Sequence, residues 1–181
     1  MNETEKMETA ILGNGCFWCT EAVFQLLKGV ISVKSGYSGG STANPDYKSV
    51  CTGLTGHAEC LEIKYNPDLI SFEDLLEVFW KTHDPTTLNR QGNDVGTQYR
   101  SVVFYINDTQ KQIARDYMEQ LDKSGLFEHP IVTTLEPFTT FYSAENYHNN
   151  YFNENGSAPY CQFIVRPKVE KFKKSFTDKL Q

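Results

Sequence analysis

ETAILGNGCFWCTEAVFQLLKGVISVKSGY, residues 8–37, contains a short apolar run, a glycine-rich turn, a helical pattern and a second extended run. ETAILG (8–13) reads as a buried strand that enters Gly13-Asn14-Gly15. From Phe17 to Leu27 the apolar side chains Phe17, Val23, Phe24, Leu26 and Leu27 recur at helical spacing, and Gly29 stops the run. Val30 to Tyr37 returns to a strand pattern. A strand, helix and strand in this order open a layered α and β architecture.

Downstream, Ser38 to Gly56 reads as a long polar loop, and His57 to Tyr65 as a strand. Ser71 with Asp74 three residues on marks a helix start, with Leu75, Leu76, Phe79 and Trp80 behind it. HDPTTLNRQGNDVGTQ, beginning at His83, is read as loop. Tyr99 to Ile106 is predicted as a strand and Asp108 to Lys123 as a helix with Ile113, Tyr117, Met118 and Leu121 on one face. Pro130 to Pro137 is predicted as a strand and SAENYHNNYF as a short helix. Pro167 opens a final helix carrying Val169, Phe172, Phe176 and Leu180. The order predicts a mixed α+β fold, a two-layer plait with a ferredoxin-like core and long surrounding loops. Residues 1–181 are expected to form one domain.

Seventeen Lys and Arg stand against 23 Asp and Glu, and an acidic chain without a basic face repels phosphate backbones, so nucleic acid is excluded as a partner. No run approaches the ~20 apolar residues of a membrane span. MNETEKMETAILGNG lacks a basic segment followed by a long apolar run, so no leader is expected and the chain is placed in the cytoplasm. In that reducing compartment Cys16, Cys19, Cys51, Cys60 and Cys161 are expected to be catalytic, metal-bound or buried rather than structurally paired.

Cys16 stands where a strand and glycine turn hand over to a helix. The unpaired N–H groups and positive macrodipole there favour a thiolate, and the glycines are expected to leave the thiol open. Cys19, one turn on, lies near the same face and is placed to trap a sulfenic acid as a disulfide. Zinc is one competing use, drawing on Cys16, Cys19, Cys51, His57 and Cys60. Cys51 and Cys60 are too far apart for a zinc pair, and Phe17 and Trp18 make a poor knuckle. Dithiol exchange is the other, but the thioredoxin motif has its tryptophan before the first cysteine, not within the gap.

Glu59, in TGHAEC between Ala58 and Cys60, reads as a strand carboxylate. Apolar surroundings would keep it protonated as a general acid. Tyr47 and Tyr99 either donate O–H bonds to a substrate oxygen or pack. Asp94, before Val95 and Gly96, reads as turn chemistry. His57, His83 and His148 are candidate bases that equally fit structural roles.

Together these residues resemble the A-type peptide methionine sulfoxide reductases from about Glu8 to Lys171. The resemblance rests on GCFWC (15–19), GYSGG (36–40), NPDYKSVCTG around Tyr47, TGHAE (55–59), HDPTT (83–87), QGNDVGTQYRS (91–101), AENYHNNY (144–151) and PYC followed by RPK (159–168). It implies that Cys16 attacks the sulfoxide sulfur and that Phe17 and Trp18 receive the terminal methyl group. Glu59, Tyr47 and Tyr99 would surround the sulfoxide oxygen, and Asp94 would hold the substrate backbone near its amide nitrogen. The S epimer would be the substrate, free or in proteins, no cofactor would be needed, and the chain would act as a monomer. Many members keep recycling cysteines in a C-terminal tail, whereas this chain ends KKSFTDKLQ. Cys19 is therefore the favoured resolver and thioredoxin the expected reductant. Cys161, read as buried and structural, and Cys51 remain alternatives.

Overall fold

The computed structural model describes residues 6–180; Met1 to Glu5, part of the stretch read for a leader, lie outside them. The chain order is β1 (Glu8–Asn14), α1 (Phe17–Phe24), β2 (Val30–Ser38), α2 (Tyr47–Cys51), β3 (Ala58–Tyr65), α3 (Phe72–Lys81), β4 (Arg90–Gln91), β5 (Asp94–Val95), β6 (Ser101–Tyr105), α4 (Asp108–Lys123), β7 (Thr134–Pro137), β8 (Phe141–Ser143), α5 (Tyr151–Glu154) and α6 (Arg166–Ser175). Six strands form one mixed sheet in the order β7-β6-β1-β3-β2-β8, while β4 and β5 form a separate short hairpin. Only β6 and β7 run parallel in the large sheet; its other neighbours are antiparallel.

Strand alternation divides the central side chains between two faces. Leu12 of β1 and Leu61, Ile63 and Tyr65 of β3 pack with Phe24 of α1 and Leu75, Leu76 and Phe79 of α3 in the main core. Ile11, Ala58, Cys60, Val102 and Phe104 point the other way and are covered by Phe138 and Phe141. Helix α3 begins where its capping box predicts: Ser71 Oγ accepts the Asp74 N–H at 3.0 Å and Asp74 Oδ2 accepts the Ser71 N–H at 3.1 Å. Helix α4 also has its predicted bounds, with Asn107 Oδ1 accepting the Gln110 N–H at 2.8 Å as N-cap.

Several boundaries differ from the sequence reading. Helix α1 ends at Phe24 rather than Leu27, because Lys28 N–H bonds to Lys179 C=O and Leu27 bridges Leu180. These partners lie far along the chain and leave no periodic signal. The polar loop contains α2, capped reciprocally by Asp46 and Ser49. The predicted strand from Tyr99 begins at Ser101, because Tyr99 closes a 3₁₀ turn. Of 130–137 only Thr134–Pro137 is strand, and β8 was not foreseen. SAENYHNNYF divides between a 3₁₀ turn at Asn146–His148 and α5.

Gly36 of β2 pairs with Ser143 of β8. A Cβ there would stand 2.3 Å from Phe141 Cζ and 2.5 Å from the Tyr142 carbonyl oxygen. Gly36→Ala is expected to destabilise the fold by about 1–3 kcal/mol, the usual result of overpacking, as read by urea unfolding. An unchanged midpoint would show that β8 yields to the added methyl.

Candidate active site

The β1–α1 junction is built from Gly15 and Cys16. Gly15 takes φ +105°, a conformation that L side chains rarely adopt. Cys16 is the N-cap residue of α1, and its carbonyl accepts the Cys19 and Thr20 N–H groups. Thr20 Oγ1 also hydrogen-bonds Asn14 Oδ1, tying the end of β1 to the first helical turn. The glycines do not leave the thiol open as expected, since Cys16 is 8% and Cys19 7% exposed. Gly13 serves close packing instead: a Cβ there would lie 2.9 Å from both the Glu59 carbonyl oxygen and Val102 Cγ1.

Glu59 reaches this junction from β3. It stands opposite Tyr37 of β2 on the same face as Leu61, not that of its sequence neighbours Ala58 and Cys60. Its apolar environment therefore comes from the helical layer rather than from those flanking residues. Oε1 accepts the N–H of Phe17, the first helical amide of α1, at 3.2 Å, whereas buried Oε2 has no hydrogen-bond partner. Burial raises the Glu59 pKa to about 8, opposed by the Phe17 N–H and assisted by Asp94 and Cys19. A carboxyl 1% exposed is thus largely protonated at neutral pH.

Tyr47 at the start of α2 and Tyr99 before β6 are half-buried, and both phenols are raised by burial and by Glu59. They remain O–H donors. Both tyrosines thus share the electrostatic neighbourhood of Glu59, and Tyr99 also that of Cys16. Asp94 lies on β5 rather than in the turn itself, and its Oδ2 accepts the Tyr160 O–H at 3.0 Å.

Around these groups stands an aromatic cage. Trp18 stacks on Tyr151, with centroids 3.9 Å apart and planes within 9°, and meets Tyr160 edge-on at 5.6 Å. Phe17 is buried beneath the cage, against Tyr37 and His148. Trp18 Nε1–H donates to His148 Nδ1 at 3.0 Å, which places the proton of a neutral imidazole on buried, unpartnered Nε2. Burial lowers the His148 pKa and maintains that neutral form.

Two carboxylates assigned no role in the sequence position this cage. Glu145 Oε1 accepts the Tyr37 O–H at 3.1 Å and Oε2 accepts the Tyr47 N–H at 3.0 Å, fixing the first residue of α2. Buried Glu21 of α1 accepts the Tyr151 N–H at 3.2 Å, holding the ring stacked on Trp18. Glu145, Tyr151 and Tyr160 fall within AENYHNNY and PYC, but their partners lie far away in sequence. The other candidate bases hold structure. His57 accepts from Gly40 N–H and bonds the Thr42 carbonyl, while His83 bridges the Phe79 carbonyl and Ser101 Oγ.

The thiols differ from expectation too. Burial, the hydrogen bond with Cys19 and Glu59 push the Cys16 pKa well up, with only the Trp18 backbone N–H acting against them. Cys19 is lowered by its hydrogen bond with Cys16, then by Lys168, against the effects of burial and Asp94. The pull toward the thiolate is therefore stronger at Cys19, and the helix N-terminus does not outweigh burial at Cys16. Cys161, fully buried, packs in the same cluster as Cys16 and Cys19. Cys51 is exposed on α2, and Cys60 lies on the opposite sheet face. The proposed zinc set is thus dispersed; among the described residues no group of three His, Cys, Asp or Glu side chains is arranged to hold a metal ion.

Because the Glu59 pKa rises from an ordinary 4.5 to about 8 on folding, the native state binds the extra proton and stability falls as pH rises through that window. Glu59→Gln removes this penalty. Relative to the parent protein, the variant should gain roughly 3 kcal/mol more stability at pH 7.5 than at pH 5. Urea unfolding at both pH values checks this; a constant difference would show that Glu59 titrates normally.

Comparison with known proteins follows the same geography. Residues 8–180 match the family model described as peptide methionine sulfoxide reductase. The chain is 52% identical to the peptide methionine sulfoxide reductase MsrA of Saccharolobus solfataricus, covering 97% of this chain and 98% of the relative. It is 54% identical to that of Deinococcus radiodurans, over 96% and 84% respectively. Among solved structures, reduced Mxr1 from Saccharomyces cerevisiae superposes with a TM-score of 0.81 at 35% identity, covering 89% of this chain and 92% of Mxr1. Mxr1 in complex with Trx2 also matches, with a TM-score of 0.59 at 26% identity, covering 87% of this chain and 89% of that one.

Proposed function

We infer the chemistry of this chain from its family: it belongs to the peptide methionine sulfoxide reductases and reduces methionine sulfoxide, free or in proteins, to methionine. The observation that carries the mechanism is the bare, buried Oε2 of a carboxyl whose other oxygen is tied to the amide beside Cys16. A sulfoxide oxygen seated there receives a proton from Glu59 while Cys16 Sγ attacks sulfur. Tyr47 and Tyr99 donate to the same oxygen, where preorganised donors commonly contribute a few kcal/mol each. The methyl group rests on Trp18 with Phe17 behind it, and Asp94 faces the substrate amide. Methionine leaves, Cys16 retains the oxygen as a sulfenic acid, and the proton lost by the Cys16 thiol replaces the one Glu59 gave.

Cys19 then attacks the Cys16 sulfur and water departs, leaving a Cys16–Cys19 disulfide. Its thiolate character supports this resolving role. The packing of Cys161 beside the pair supports a second reading, a Cys16–Cys161 disulfide. Thioredoxin is the reductant we propose, by analogy with Mxr1, solved in complex with Trx2. We assign the S epimer to the site and the chain to the cytoplasm, as a monomer working as one domain. No helix among the described residues is long and apolar enough to cross a membrane. The central strand order β6-β1-β3-β2, with α1 and α3 as crossovers, supports the reading of a ferredoxin-like plait.

Incubation of each epimer with protein and dithiothreitol should consume the S form alone; consumption of only the R form, or of neither, sinks the assignment. Cys16→Ser should abolish turnover. Cys19→Ser should still yield one methionine per enzyme but lose most thioredoxin-driven turnover, and full turnover would move the resolving role to Cys161. In single-turnover assays the first step should slow above about pH 8 as Glu59 loses its proton. Glu59→Gln should be slow throughout, and a parent-like rate would remove Glu59 from the acid role.

A further inference from the structure

A cavity of about 530 Å³, within the size range of small-molecule sites, lies between α3, α6 and the segment 126–129. Lys81, Lys168, Lys171 and His129 line it together with Asp84 and Glu128. Lys81 pairs with Glu77, but among the described residues neither Lys168 nor Lys171 has a carboxylate within 4.0 Å. Asp84 Oδ1 is occupied by the N–H and hydroxyl of Thr86. In a chain of net charge −6, the cavity sets the unpaired ammonium groups of Lys168 and Lys171 against two carboxylates, Glu128 and the partly committed Asp84.

A narrow neck of about 10 Å³, room for one water, shares two of its walls, Thr82 and Lys168, with this cavity. Its other walls include Asn14, Thr20 and Cys19. None of the groups assigned to the sulfoxide, Glu59, Tyr47, Tyr99 or Trp18, lines it. Cys19, 7% exposed, therefore borders a space that the sulfoxide-side groups do not reach. Thiol–disulfide exchange proceeds by attack of a thiolate on one disulfide sulfur as the other departs, so access to each sulfur decides which is attacked. An attacker from the neck meets Cys19 and expels Cys16. The half-buried Lys168 side chain, on a flexible four-carbon stem, is the movable wall.

We propose that this cavity admits a small thiol bearing a carboxylate, held by Lys168 and Lys171, as a second reductant of the Cys16–Cys19 disulfide. The proposal rests on the assignment of Cys19 as resolver. The incoming thiolate bonds to Cys19 Sγ, the Cys16–Cys19 bond breaks, and Cys16 leaves as a thiolate that takes a proton. A second thiolate attacks the sulfur of the bound reductant and releases Cys19. Two thiols are oxidised to one small disulfide as one protein disulfide is reduced.

The test uses the full chain oxidised by one equivalent of methionine sulfoxide and freed of excess substrate. Its disulfide is mapped by mass, and its reduction is timed with 3-mercaptopropionate, 2-mercaptoethanol and cysteamine. Comparing the parent protein with Lys168→Gln/Lys171→Gln for each thiol removes differences in intrinsic thiol reactivity. The double variant should lose roughly five- to tenfold in rate with 3-mercaptopropionate, an effect that shrinks with added salt. It should change less than about twofold with 2-mercaptoethanol and be faster with cysteamine. Rapid alkylation should trap the mercaptopropionate adduct on Cys19. Equal changes for all three thiols, or an adduct on Cys16, would overturn the cavity proposal while leaving a mapped Cys16–Cys19 disulfide intact. A disulfide without Cys19 would overturn both readings.

Discussion

The hydrogen bond from the Phe17 amide to Glu59 Oε1 joins the sheet to the first turn of α1, and the site is organised around it. One unpaired N–H of a helix start is satisfied by one oxygen of a strand carboxyl. The carboxyl is so buried that its other oxygen has no protein partner, and desolvation favours its neutral form. Gly13 allows the close approach of β1 and β3, because any Cβ there would meet the Glu59 backbone and Val102. Close strand packing at Gly13, the placement of α1 and the proton affinity of Glu59 thus meet at one point of the fold.

A second layer holds the aromatics around that contact. Trp18 and Phe17 come from α1, but the groups that orient them come from 145–160. Glu145 binds the Tyr37 hydroxyl and the first amide of α2, while Glu21 binds the amide of Tyr151. Each carboxylate uses an unpaired backbone donor, so short helices too small to stand alone are fixed by charged acceptors at their starts. His148 completes the arrangement by accepting from Trp18, and it stays neutral because burial penalises its charge.

Competition between burial and local charge also separates the two neighbouring thiols. Both occupy the same helical turn and both lose water. Cys16 faces Glu59, whereas Cys19 has Lys168 and the hydrogen bond from Cys16. This divides the pair in the sense the proposed mechanism needs: a protonated thiol beside the acid and a more readily ionised one behind it. The same Lys168 borders the lysine-lined cavity, so the electrostatics of Cys19 and the proposed entry of a reductant share one residue.

Periodicity and caps in the sequence were enough to locate β1, β2, β3, α3 and α4, because those signals are local: alternation in strands, the Ser71–Asp74 box and a one-sided apolar face. The family resemblance likewise singled out Cys16, Glu59, Tyr47, Tyr99 and Asp94 as candidates, although on spacing alone the tyrosines equally fit packing and Asp94 a turn. Tertiary structure decided what those residues become. Only strand register puts Glu59 on the helical face, away from Ala58 and Cys60. Only distant segments bring Tyr151, Tyr160, His148 and Glu145 to Trp18 and Tyr47. The end of α1, the brevity of β7 and the edge strand β8 depend on pairing with remote chain. Proton affinity followed the same division, because the helix N-terminus at Cys16 is visible in sequence but desolvation exists only once the neighbours have assembled.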